Sequence, residues 1–322
     1  MAFVPSIINP LGQRLQGSCP INWSNKMQSV ISYPDRGHWG DPKWRGNCSG
    51  RVYQDLFDQL QPKTFVDPMV GSGTSVEVAK EMGIQAWGLD LHSGFNAIAD
   101  SILLAVGQQV DLCVSHPPYG SMIKYSGSVW GSEPHPGDLS HCSSNEEFHE
   151  KMQLVLLNQR DATKPQGFYG TIIGDYRKAG TYTSYQAEMI ARMPSSELAA
   201  VIIKQQHNCV SDARSYAKLT LPRIQHEYIL LWQKKSAPIL MLLGAMAKEQ
   251  YARLTGTWKS IVGLAMQRLG GKANLDQIYH EVSRAAPNKL AENPNWKAKI
   301  RQVLNSTSLF SSSERGVWML AA

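Results

Sequence analysis

Thr64 to His92, TFVDPMVGSGTSVEVAKEMGIQAWGLDLH, decides the fold of this chain. A short apolar run, Phe65 and Val66, ends at Asp67. A tight turn carrying Gly71 and Gly73 follows, and the spacing then predicts a helix over Thr74 to Met82. A second strand, Gln85 to Leu89, ends on Asp90. The pattern is a β-turn-α-β unit. Its glycines let the backbone approach a ligand closely at a helix N-terminus, where unpaired amides face outward. An acid that ends the second strand is placed to bind ribose hydroxyls. The loop is not the G-x-G-x-x-G dinucleotide fingerprint, and a lone Gly-rich turn is more often only a turn.

Its weight comes from DLCVSHPPYG, Asp111 to Gly120, a further short strand that ends in Pro-Pro-Tyr. With both stretches in this order the chain resembles the S-adenosylmethionine-dependent DNA methyltransferases that act on exocyclic amino groups, cytosine N4 or adenine N6. The resemblance runs from about residue 33 to 235. It implies a Rossmann-like α/β sheet with helices on both faces and S-adenosylmethionine as cofactor. Carried over residue by residue, it places Asp67, Pro68, Gly71, Ser72, Gly73 and Thr74 in the cofactor loop, with Asp90 and Leu91 beyond it. Asn47 and Ser49, in the loop ahead of the helix expected at Arg51 to Leu60, match a Gly-Asn-x-Ser segment that closes over the methionine end of the cofactor. Asp100 matches an acid that binds the adenine amino group. His116, Pro117, Pro118 and Tyr119 form the catalytic turn.

In the family the first residue of that turn accepts a hydrogen from the target amine, the next backbone carbonyl accepts a second, and the aromatic residue stacks on the extruded base. Such an enzyme must flip its base out of the duplex. Asp, Asn or Ser is usual at the first position, and this chain has His116. A neutral imidazole keeps one accepting nitrogen and a protonated one has none. Activity is therefore expected to fall as pH drops through the histidine pKa, ordinarily about 6.5. Cytosine-C5 chemistry is excluded, because none of the five cysteines follows a proline.

Further elements follow the same reading. Helices are expected at Phe95 to Ile98, Glu146 to Leu157 and Tyr182 to Met193, and strands at Gly170 to Asp175, Ala199 to Lys204 and His226 to Lys234. Residues 121 to 146, dense in Ser, Gly, Pro and His, read as a functional or mobile loop whose Lys124, Tyr125 and Trp130 could touch DNA. Residues 205 to 221 read as a polar loop, and residues 1 to 32 as an irregular arm.

The catalytic domain is expected over 33 to 236 and a second, winged-helix-like domain over 237 to 322. There, helices at Pro238 to Arg253, Trp258 to Leu269, Leu275 to Ala285 and Pro294 to Leu304 precede a hairpin turning at Ser-Glu-Arg-Gly. The helix at Pro294 offers Lys297, Lys299 and Arg301 to a major groove, with Asn295 and Trp296 at its start. Charge points the same way. From residue 236 onward eleven Lys/Arg face five Asp/Glu, which accounts for the whole net charge of +6. The charge implies a polyanionic partner, and with the resemblance that partner is double-stranded DNA.

Hydrophobic content of 43% without a long apolar run argues against a membrane protein. Scattered, unpaired cysteines and histidines without ligand spacing argue for a reducing compartment and no metal. No signal peptide is expected, and the localisation read from this is cytoplasmic, nucleoid-associated, in a prokaryote or phage. The resemblance also allows a homodimer and a cognate restriction enzyme as partners. Two other functions stay open: an RNA guanine-N2 methyltransferase, and an inactive DNA-binding protein that keeps the cofactor fold.

Overall fold

A computed structural model describes residues 27–207, 221–306 and 309–320. The chain divides into two units, Met1–Ser236 and Ala237–Ala322.

In the first unit the elements run β1 (Val30–Ser32), α1 (Gly50–Leu60), β2 (Thr64–Asp67), α2 (Thr74–Glu81), β3 (Gln85–Gly88), α3 (Ile102–Val106) and β4 (Val110–Ser115). They continue with α4 (Asn145–Ala162), β5 (Thr163–Ile173), β6 (Tyr176–Lys178), β7 (Thr181–Thr183), α5 (Tyr185–Arg192), β8 (Leu198–Gln205) and β9 (His226–Gln233). Seven strands form one sheet in the order β1-β8-β9-β5-β4-β2-β3. β9 alone runs antiparallel to its neighbours β5 and β8. β2 pairs in parallel with both β3 and β4, so the chain winds outward from β2 to one side and then returns to the other. Open α/β sheets bind ligands at that reversal, beyond the carboxyl ends of the strands.

The strands are apolar along their length because both faces are covered. Along β2, Phe65 packs with Val52, Leu56 and Phe57 of α1 and with Val78 and Ala79 of α2. Its neighbour Val66 faces the opposite core, built from Phe148, Met152, Val155 and Leu156 of α4 and Tyr185 and Met189 of α5. This is the Rossmann-like α/β architecture that the resemblance implied.

Four local expectations change. No helix forms at Phe95 to Ile98; α3 starts at Ile102 because the Ser101 side chain caps it by accepting the Leu104 N–H. The helix expected from Tyr182 starts at Tyr185, since Thr181–Thr183 pair with Tyr176–Lys178 in a hairpin. The strand expected from Gly170 begins at Thr163, where β4 pairs with it. Val30–Ser32, read as irregular, adds a parallel strand to β8. Residues 1–26 of the arm, and 208–220 of the polar loop, lie outside the described residues.

The second unit comprises α6 (Ile239–Arg268), β10 (Lys272–Asn274), α7 (Leu275–Ala285), α8 (Pro287–Ala291), α9 (Trp296–Ser306), β11 (Phe310–Glu314) and β12 (Val317–Leu320). The last two strands turn at the expected place, and β10, which was not anticipated, makes a three-stranded sheet ordered β10-β12-β11. The two helices expected before Gly270 are one, α6. Gly256 inside a helix costs only about 1 kcal/mol relative to Ala. Burial of Trp258, Val262, Ala265 and Met266 in the core against Ile278, Val282, Ile300 and Leu304 outweighs it. A capping box joins Asn274 and Gln277 at the start of α7. No described helix is long and apolar enough to cross a membrane.

Candidate active site

The carboxyl ends of β2, β3 and β4 open into one cleft of about 830 Å³, measured out to its mouth. Asp67 ends β2 and turns its carboxylate into the loop that follows, accepting the Met69 N–H at 2.9 Å and the Ser75 hydroxyl at 2.6 Å. Burial pushes its pKa up to about 7. Asp90 at the end of β3 accepts the Gly71 N–H at 2.8 Å, and its other oxygen lies 2.7 Å from His92 Nδ1. The two acids thus hold the glycine loop from both sides. The N-terminus of α2 has no side-chain cap and carries Glu77 in its first turn.

The loop ahead of α1 forms the next wall. Asn47 accepts the Thr74 hydroxyl at 2.7 Å and donates to the Asp41 carbonyl at 2.6 Å, which ties this wall to the start of α2. Trp44 lies over Gly71, its ring centroid 5.4 Å from that of His92. Tyr125 reaches across to Gly46 so closely that a Cβ there would stand 2.1 Å from the phenol oxygen. The long loop after Tyr119 is built around Asp138, a buried carboxylate that accepts the Ser126 N–H and hydroxyl and the Ser140 N–H. Burial works against its ionisation, but these donors outweigh it and hold its pKa below the usual carboxylate range.

His116 and Pro118 form the remaining wall. His116 Nε2 lies 2.7 Å from the Tyr119 hydroxyl. The Tyr119 ring rests on Gly174, where a Cβ would stand 2.6 Å from it, so the glycine after β5 is required by this contact. Below the pair, Glu227 of β9 binds Lys204 of β8 at 3.0 Å and also takes a hydrogen bond from Gln206. Burial lowers the His116 pKa; Glu227 pulls it up and Lys204 pushes it down, and the net direction is downward. Its imidazole is therefore neutral at neutral pH.

Of the expected cofactor residues, Asn47, Asp67, Pro68, Gly71, Ser72, Thr74, Asp90 and Leu91 line the cleft. Ser49, Gly73 and Asp100 are not part of its lining. Ser49 caps α1 by accepting the Arg51 N–H, and Gly73 is the N-cap of α2. Asp100 accepts the Asn96 N–H at 2.8 Å and so shapes the turn that brings Asn96, in its place, to the wall. Pro117 is buried and Tyr119 stands beside the cleft rather than in its lining. Tyr125 and Trp130 line it, but the Lys124 ammonium is engaged by the Ser140 carbonyl.

Lys297, Lys299 and Arg301 lie on α9 in the second unit. Lys297 sits 5.4 Å from the Tyr279 ring and 5.5 Å from the Trp296 ring, Lys299 donates to Gln302, and Arg301 donates to the Tyr279 hydroxyl. Sequence reasoning missed Trp44, Asn96 and Asp138 in the walls and the Lys204–Glu227 pair beneath them. The pair did leave a trace: each is a charge near the end of a largely apolar strand, and the two are register partners.

Charge decides what the cleft suits. Asp67, Asp90 and Asp138 line it, and among its described lining residues there is neither Lys nor Arg. A phosphate-bearing nucleotide would meet carboxylates and no basic side chain here. A nucleoside with a cationic end fits the sign.

No family model matches the chain, and no curated protein matches it. Among solved structures, TrmN from Thermus thermophilus is 15% identical, over 59% of this chain and 50% of its own, with a TM-score of 0.37. TTHA0409, also from Thermus thermophilus, a candidate DNA modification methylase complexed with S-adenosyl-L-methionine, is 22% identical over 44% of this chain and 54% of its own, with a TM-score of 0.29. The [4+2]-cyclase SpnF is 13% identical over 63% of this chain and 90% of its own, with a TM-score of 0.36. The chain spans about half the length of the first two.

Proposed function

We propose that this chain is an S-adenosylmethionine-dependent methyltransferase that modifies an exocyclic amino group of DNA, cytosine N4 or adenine N6. One observation carries the reading: the glycine loop of β2 and the His-Pro-Pro turn of β4 line one cleft whose charged lining is carboxylate. Asp67, Gly71, Ser72, Thr74, Asp90, Leu91 and Asn47 would hold the cofactor, and Asp90 suits its ribose. Bound there, it would supply an electrophilic methyl group.

The chain's own residues do the rest. An exocyclic amine is a weak nucleophile because its lone pair is delocalised into the ring. Neutral His116 accepts one of its hydrogens and the Pro117 carbonyl can accept another, which draws the nitrogen toward tetrahedral geometry. Two prolines in succession stiffen the turn, so the acceptors are in place before the base arrives. Trp44, Tyr125 and Trp130 supply flat apolar walls for a base extruded from a duplex. The second unit, where the excess positive charge of the chain lies, is a winged helix that grips the duplex through α9.

Duplex DNA of mixed sequence, and RNA in a parallel reaction, are incubated with the protein and methyl-labelled S-adenosylmethionine, digested and identified by mass. N4-methylcytosine or N6-methyladenine is the expected product. Methylated guanosine from RNA alone would transfer the reading to RNA. Cofactor binding without any product would overturn catalysis.

A further inference from the structure

We infer that a second cleft, at the other end of the catalytic turn, binds the sugar-phosphate backbone of the DNA strand beside the extruded base. The inference rests on the methyl-transfer reading and deepens it, because it says where the strand next to the flipped nucleotide is held.

The two clefts meet at one short stretch of chain. His116 and Pro118 line the first, Gly120 and Ser121 line the second, and the two have no lining residue in common. The chain passes from one wall to the other in two residues, at most about 7 Å. Phosphates of one DNA strand follow each other about every 3.4 Å along the helix axis. A nucleotide extruded into the first cleft therefore brings its neighbours' phosphates within reach of the second.

Charge separates the two clefts. The second measures about 910 Å³ out to its mouth, and its lining holds no carboxylate. Lys178 is the one charged residue among its described lining, and this exposed ammonium has no partner among the described residues. Hairpin geometry puts it there. β6 and β7 are joined by Ala179 and Gly180, both at positive φ (49° and 81°), as in the two-residue turns that match the twist of antiparallel strands. Tyr176 then stands opposite Thr183, and Lys178 opposite Thr181. Opposed residues share a face, and all four line the cleft. The alternate residues turn away together, with the Arg177 guanidinium 5.4 Å from the centre of the Tyr182 ring.

Two hydroxyls of the wall have their oxygen engaged and their hydrogen free. Asn145 Nδ2 donates to Thr183 Oγ1, and the Glu147 N–H donates to Ser144 Oγ, each at 3.1 Å. Neither hydroxyl donates to a described residue, so both hydrogens are left for an acceptor from outside. The carboxylates in the first turn of α4 do not oppose an anion here. Glu146 is paired with Arg192 and Glu147 with Lys151, each at 2.7 Å, and neither lines the cleft. A phosphodiester, with one charge and two unesterified oxygens, matches one ammonium and two hydroxyl donors. The carboxylates of the first cleft would repel it.

Lys178→Gln and Thr183→Val test the site in the full chain, by equilibrium binding to a mixed-sequence DNA duplex at 50 to 200 mM salt. Each phosphate contact contributes about 0.9 to the slope of log affinity against log salt. Raising the salt over that range should therefore weaken the native protein about three- to fourfold more than Lys178→Gln. Thr183→Val should lower affinity about tenfold and keep the native slope, because it removes a hydrogen bond to an anion but no charge. S-adenosylmethionine should bind both variants as it binds the native protein, which shows that they are folded. A native slope in Lys178→Gln overturns the inference. So does a slope that depends on Lys178 with RNA and not with duplex DNA.

Position is read with duplexes carrying one neutral methylphosphonate beside the methylated base. The native protein should lose affinity for them and Lys178→Gln should lose no more; equal losses overturn the placement. The salt measurement needs no turnover. A slope that depends on Lys178, without methylated product, would overturn methyl transfer and leave the cleft a DNA site. Product on DNA with the slope unchanged would overturn the cleft alone.

Discussion

Among its described residues the first unit buries two ion pairs, Arg160–Glu197 and Lys204–Glu227, and they are used differently. Arg160 grips Glu197 through Nε at 2.9 Å and Nη2 at 2.8 Å, and the same carboxylate takes the Tyr169 hydroxyl at 2.6 Å and the Lys235 N–H at 2.9 Å. Every donor comes from the framework of α4, β5 and the end of β9, and none of these residues lines the cleft. Lys204 makes one bond to Glu227, and that carboxylate lies beneath the His-Pro-Pro turn, where its charge raises the His116 pKa. The first pair is enclosed by its own framework, while the charges of the second act on His116 of the cleft wall. Burying a pair is rarely stabilising in net terms, so its use lies in what the held charge does next.

The largest expected effect is on the closed pair. Glu197→Ala strands the Arg160 guanidinium, whose side chain is only 2% exposed, and leaves a tyrosine hydroxyl and a backbone N–H without their acceptor. A loss of about 3–5 kcal/mol is expected, read from urea unfolding. Methylation per folded molecule should be unchanged, which separates this pair from the other.

Glu227 comes next, with a signature in pH. Burial opposes its ionisation, but Lys204 and its other partners outweigh that and hold its pKa at about 2, against an ordinary 4.5. A depressed carboxylate pKa adds stability that is complete above pH 4.5 and is lost as pH falls toward 2. The gap corresponds to about 3 kcal/mol. Glu227→Gln removes this contribution at every pH. The difference in unfolding free energy between native protein and variant should therefore be large at about pH 6 and should shrink steadily on acidification. A difference independent of pH would mean that the carboxylate is not what Lys204 stabilises.

The contrast also explains what could be read in the sequence. The loop from Asp67 to Thr74 was legible because its information is local: a strand, a turn that needs glycines, a helix start and a second strand ending in an acid. His116 was legible for the same reason, since the two prolines mark its turn. Trp44 and Asp138 were not, because each reaches the cleft through loops whose course depends on contacts made far along the chain. Asp100 shows how near local reading comes and where it stops: it fixes the right turn, but the residue presented to the cleft is Asn96, four positions earlier. Glu227 and Lys204 were read only as parts of two strands. Their meaning appears when β8 and β9 pair and put both charges under the turn of β4. In the second unit two helices, Pro238 to Arg253 and Trp258 to Leu269, were read where α6 is continuous, because the core that α6 buries is built with elements later in the chain.

A third pair sets the lower end of the scale. Lys164 Nζ meets Asp111 Oδ1 at 2.8 Å, as short as the closest Arg160 contact, but the two side chains are 43% and 30% exposed. Asp111 also accepts two backbone N–H groups, from Lys63 at 3.0 Å and Thr64 at 2.9 Å, together with the Thr64 hydroxyl at 2.8 Å. Those contacts hold the start of β2 against β4, and Lys164 adds to an acceptor that is already engaged and reached by solvent. Lys164→Met should therefore cost less than about 1 kcal/mol, and the cost should shrink as salt is raised. Asp111→Ala should cost more, about 1–3 kcal/mol, because it strands two backbone donors at the entry to the glycine loop's strand. If Lys164→Met proved as costly as Glu197→Ala, distance alone would set the strength of these pairs. The expected gap between them says instead that enclosure and the number of donors do.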